Sequence, residues 1–145
     1  MPRVDGYCLS PGLPDALDRF ACKLVEKAFQ QGYSIKVQTR DPTHSEALDR
    51  LLWTFRDRSF IPHDRVASPD CPVWITDLDQ TQDVPEYRLL VQIQPVCQDH
   101  SRSTYERIVE IMDSDHRSLP AHQANWERYR SLGYEIHEHD HHPTT

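Results

Sequence analysis

The apolar residues Leu17, Phe20, Ala21, Leu24, Val25 and Ala28 recur at spacings of three and four, which gathers them on one stripe of a helix. Ahead of them, "DGYCLS" reads as a short strand, and "SPGLPD" carries the Pro and Asp expected where a helix starts. Gly32 follows the last turn as the residue type that takes positive φ there. "YSIKVQT" then reads as a strand. "DPTHSEALDRLLWTF" predicts a second helix, with Asp41 as N-cap, Pro42 at the first helical position and a stripe of Leu48, Leu51, Leu52 and Phe55. After a loop rich in Pro and Asp, "CPVWIT" and "YRLLVQIQP" are apolar runs of strand length enriched in Val and Ile, and both are expected to be buried. Ser103 and Glu106 have the spacing of a capping box ahead of Ile108, Val109, Ile111 and Met112, which predicts a helix there. A last helix is expected from Pro120 to Leu132, closed by Gly133, with "YEIHEH" as a final edge strand.

Strands alternating with helices imply an α/β domain with a largely parallel sheet. The 145 residues, 37% hydrophobic, suit one domain over 1–136, with the polar, His-rich 137–145 expected to be a flexible tail. No apolar run approaches the roughly 18 residues that span a bilayer, and no apolar h-region follows the N-terminus, so a cytoplasmic location is expected. The net charge of −7 argues against wrapping nucleic acid directly, because that affinity comes mostly from Lys and Arg on phosphates. Cys8, Cys22, Cys71 and Cys97 are scattered singly, without a CxxC pair, and read as reduced thiols.

Candidate chemistry is sparse. "VWITDLDQT" has the form of the DxDxT motif of haloacid-dehalogenase-like phosphatases, with Asp77 as nucleophile, Asp79 for acid/base work and a magnesium between them. That chemistry also needs a basic residue on the phosphoryl group, and no lysine follows Lys36, so an acidic turn is the simpler reading. Four glycines leave neither a GxxxxGK loop nor a GxGxxG fingerprint, so no nucleotide site is expected. His137, His139, His141 and His142 are close enough to chelate a metal, but they read better as a solvated tail, and no metal or other cofactor is assigned. His63 and His122 stand beside no nucleophile motif and are assigned no catalysis.

The tryptophans carry more information. At about 100° per residue, Trp53 sits about 150° from the centre of its helix's apolar stripe. Either another layer covers it, or it is an exposed aromatic anchor joined by Phe60, Ile61 and Pro62, of the kind that forms interface hot spots. In the last helix Ala121, Ala124 and Leu132 mark the apolar side, which turns Trp126 about 150° away, beside His122 and Tyr129 and near Arg128 and Arg130. Such a face either packs on a neighbouring helix or receives a peptide carrying hydrophobic side chains and carboxylates.

Several of these pieces resemble a known family, the chi subunit of bacterial DNA polymerase III, an accessory protein of the clamp loader. "LDRLLWTFRDRSFIPH" resembles the pattern LDxxLWxxxxxSFxPH, "PVWI" and "LLVQI" resemble its central strands, and "YERIVEI" and "RYRSLGYEI" resemble its closing segments. The likeness runs from Val4 to about Ile136. It implies a Rossmann-like three-layer α/β/α domain that catalyses nothing and connects proteins. It implies a site for a psi subunit, or alternatively a DNA repair helicase, at Trp53, Phe60, Ile61, Pro62 and His63. A second site, for the acidic C-terminal tail of single-stranded DNA-binding protein, maps to Met112, Leu119, Gln123, Trp126 and Glu127, with Arg117, Arg128 or Arg130 to supply charge. Where typical members place Lys or Arg, this chain has Leu119, Gln123 and Glu127, so the electrostatic half of that contact is weakened. Any contact with nucleic acid is therefore expected to be indirect.

Overall fold

The computed structural model describes residues 3–9, 16–55, 61–64, 71–77, 87–93, 105–113 and 120–141, the side chains of Ala121, His122, Asp140 and His141 excepted. In chain order the elements are β1 (Arg3–Leu9), α1 (Ala16–Gln30), β2 (Ile35–Gln38), α2 (Pro42–Thr54), β3 (His63–Asp64), β4 (Val73–Thr76), β5 (Leu89–Ile93), β6 (Arg107–Asp113), α3 (Pro120–Ser131) and β7 (Glu135–His141). The seven strands form one sheet in the order β3-β4-β2-β5-β6-β1-β7, every pair parallel.

Alternation along the strands splits the interior into two layers. Ile35, Val37, Val73, Ile75, Leu89, Val91, Ile93, Val109 and Ile111 share a buried cluster with Ala21, Cys22, Val25 and Ala28 of α1 and Leu48 and Leu52 of α2. Val4, Leu90 and Ile108 point to the other face and pack with Tyr129 of α3 and with Tyr105 and Tyr134. Helices thus cover both faces, as a parallel sheet requires.

The helix ends follow their chemistry. The Asp41 carboxylate accepts the His44 amide at 2.8 Å, and Pro42 opens α2 at a position whose N–H would have no helical partner. Gly32 and Gly133 take φ of +91° and +92° at the ends of α1 and α3. One residue missed by sequence reasoning ties the first two helices together: the His44 ring, buried, meets Asp18 Oδ1 of α1 through Nε2 at 2.7 Å.

The structure corrects two expectations. Residues Arg107–Asp113 form β6, not the helix that Ser103 and Glu106 predict; Ser103 lies outside the described residues. Glu106 instead pairs with Arg88 beside it, at 2.6 Å. The cause is burial on both faces of an inner strand, which leaves the run Ile-Val-Glu-Ile-Met buried throughout, apolar but for Glu110, and erases the two-residue alternation. Nor does the fold end at Ile136. β7 continues to His141 in parallel register with β1, pairing Asp5 with His137 and Tyr7 with His139, because Asp5 and Tyr7 give this polar strand specific partners.

Candidate partner-docking site

Trp53 lies one residue before the end of α2, off the stripe that buries Leu48 and Leu52, and is 48% exposed. It is one of two large apolar side chains exposed among the described residues; the other is Leu132. The indole is positioned by His63, whose ring centroid stands 4.3 Å away at an interplanar angle of 46°. His63 is itself fixed from below: Nδ1 meets the Ile61 carbonyl at 2.6 Å, and Nε2 meets Asp49 at its side-chain Oδ1, 2.7 Å, and its carbonyl, 3.1 Å. What lies under Trp53 is therefore a locked imidazole, held by Asp49 of α2 and by the Ile61 carbonyl just ahead of β3.

Of the residues grouped with Trp53 in the sequence, Pro62 is half-buried and His63 is buried beneath the indole. Ile61 departs from the expected exposed cluster. At 1% exposure it belongs to the core under α2, because its β-branched side chain turns inward where the chain enters β3. Phe60 lies outside the described residues.

The last helix reverses its predicted orientation. Asn125, Trp126 and Tyr129 are buried, while Ala124 and Leu132 face out. Trp126 therefore points into the sheet, not away from it. The reason lies on the neighbouring strands: β1 offers Gly6 and β6 offers Glu110, directly opposite one another in register. The indole lies so close over Gly6 that a Cβ there would come within 2.4 Å of its Cζ2. Its Nε1 donates to Glu110 Oε1 at 2.8 Å, and the Tyr129 hydroxyl lies 2.8 Å from Glu110 Oε2 and 3.0 Å from Gln92 Oε1. Burial lifts the Glu110 carboxyl to about 7, against the opposing pull of the Tyr129 and Trp126 hydrogen bonds. Burial likewise raises the Tyr129 phenol well above its ordinary range, and the carboxyl beside it adds to the rise. Hydropathy could not find this face, since its packing residues are aromatic and carry polar tips.

Met112, also assigned to this region, is buried on β6, a strand and not a helix end. Gln123 and Arg130 are exposed and Arg128 is half-buried; Arg130 pairs with Glu127 at 2.8 Å. Leu119 and Arg117 lie outside the described residues. Asp77 is buried just past the end of β4, and Asp79 lies outside the described residues. His137 bonds Glu135 and His139 bonds Asp5. Among the described residues, no three metal-ligating side chains converge. Among the described residues, no helix is long and apolar enough to cross a membrane.

These features define an all-parallel α/β domain that leaves an oriented indole at its surface. The family model of the DNA polymerase III chi subunit, HolC, matches residues 1–137, and the chain belongs to that family, whose members are accessory subunits of the replisome. It is 28% identical over 139 residues to the DNA polymerase III subunit chi of Pseudomonas aeruginosa, covering 96% of each chain. It is 32% identical over 76 residues to a probable DNA polymerase III subunit chi of Rickettsia prowazekii, covering 50% of this chain and 45% of that one.

Proposed function

We propose that this chain is a non-catalytic adaptor of the replisome, linking the C-terminal tail of single-stranded DNA-binding protein to the clamp loader through a psi-like partner. The observation that carries the reading is Trp53, half exposed yet held in one orientation by His63. An aromatic that is already ordered loses little conformational freedom when a partner covers it, which is the usual character of an interface anchor. The partner surface comprises Trp53 and Pro62, with His63 and Ile61 as its buried support.

The tail docks on the outer face of α3, where Gln123, Arg128 and Arg130 are accessible, while Trp126 seats the helix from beneath. Glu127 already engages Arg130, which leaves the site poorer in free positive charge than a carboxylate ligand favours.

Trp53→Ala should abolish capture of the partner from lysate of the protein's own cells while changing the melting temperature little. The captured protein distinguishes a psi-like subunit from a helicase. Loss of melting temperature with capture retained refutes the anchor role. Titration of the full chain with a tail peptide tests the second link, and absence of heat at high micromolar peptide removes it.

A further inference from the structure

Glu110 is fully buried in the middle of β6, under α3. The elements packed around it present Gly6 from β1, Gln92 from β5, and Trp126 and Tyr129 from α3. Tyr129 is a titratable group in direct contact, its hydroxyl 2.8 Å from Glu110 Oε2. Cys8 lies one step along the same face of β1, Arg128 acts on the Tyr129 phenol, and Lys36, two strands away on that face, stands 5.0 Å from the Trp74 ring.

With the Gln92 amide oxygen turned toward Tyr129, the hydrogen-bond geometry favours a proton on Glu110. A phenol has one proton to give, yet the Tyr129 hydroxyl faces two acceptors, Gln92 Oε1 and Glu110 Oε2. Both contacts become hydrogen bonds when Glu110 carries a proton on Oε2: the acid donates to Tyr129, and Tyr129 donates to Gln92. Trp126 meanwhile donates to the other oxygen, Oε1. Removing the proton obliges Tyr129 to turn its hydroxyl to the carboxylate and Gln92 to reverse its amide, so the chain has two discrete arrangements. The neutral one also avoids a buried charge.

Trp126 and Tyr129, which hold the two oxygens of Glu110, both belong to α3. We propose that Glu110 is the positioning residue for the outer face of α3, favouring docking of an acidic peptide while it is neutral and weakening that docking when it ionises. This rests on the tail reading given above. Ionisation acts in two ways: it rearranges the hydrogen bonds that seat the helix, and it puts a negative charge one helix diameter, roughly 10 Å, below the surface that receives carboxylates.

The test uses the full chain. Carbon NMR of the Glu110 side-chain carboxyl should titrate near neutrality in the unmutated protein, and a midpoint below about 5 would overturn the proposal. Calorimetric titration with an acidic, apolar peptide bearing a free C-terminal carboxylate should show affinity falling several-fold between about pH 6 and about pH 8.5. Glu110→Gln, the neutral isostere, should flatten that dependence; an equal dependence in both proteins overturns the coupling. If the peptide gives no heat at either pH, the tail reading and the coupling both fail. A near-neutral carboxyl midpoint in that case marks the failure as one of the tail site, because the proton itself has been seen. Should Glu110→Gln fold poorly, Tyr129→Phe breaks the same chain and should also shift the midpoint; an unmoved midpoint counts against the relay.

Discussion

Gly6 is the residue on which the α3 face turns. Gly6→Ala forces the Trp126 ring out of its seat, and a loss of about 1–3 kcal/mol is expected in urea unfolding, the range of an overpacked core. Combined with Trp126→Leu, the loss should fall short of the sum of the two single changes, since both disturb one contact. Cys22 supplies a second check of the interior. Burial, reinforced by the charge of Asp18, pushes its thiol up to about 12, so iodoacetamide should leave Cys22 unmodified until denaturant is added, as peptide mass spectrometry would show. Neither the glycine contact nor the buried carboxyl was legible in the sequence. A glycine within a strand run signals a close approach without saying what approaches, and Glu110 looks like any solvent-facing residue of an amphipathic helix.

At the scale of elements, the second helix was legible to its cap because its signals are local. Asp41→Ala should cost about 1 kcal/mol in thermal or urea unfolding, the loss of a single N-cap. The edge strand depends instead on distant residues. Asp5, fully buried, receives Arg3, Arg107 and His139 from three strands, and these hydrogen bonds outweigh burial to hold its carboxyl below the ordinary range. Because Arg3 reaches solvent, Asp5→Asn is expected to cost about 2 kcal/mol, less than a wholly buried pair. Hydrogen exchange should show the β7 amides losing protection before those of β5. The helix predicted at Ser103 failed for the complementary reason. A capping box is a local signal, and pairing of β6 with strands on both sides overrode it.

For the whole molecule, two buried carboxyls set opposite pH slopes. Glu110 is raised from 4.5 to about 7, so between these values the unfolded chain has released a proton that the folded chain keeps, and stability falls as pH climbs through the window, by about 3 kcal/mol in all. Asp5 is lowered from 3.8, so stability falls as pH drops below that value. Melting temperature measured across the pH range should therefore peak on the acid side of neutrality, and Glu110→Gln should remove the decline toward neutral pH.

The alternation of apolar runs by itself determined an α/β domain, its first two helices and the buried strands Val73–Thr76 and Leu89–Ile93, since periodicity and caps act within a few residues. The outward turn of Trp53 was legible for the same reason. The inward turn of Trp126, the strand state of Arg107–Asp113 and the parallel pairing of the final strand with β1 were decided by tertiary structure alone. Each depends on a partner far along the chain: a missing side chain at Gly6, neighbours on both sides of β6, and a carboxylate at Asp5. Such contacts leave no local period behind, because what stabilises them is the geometry of the finished sheet.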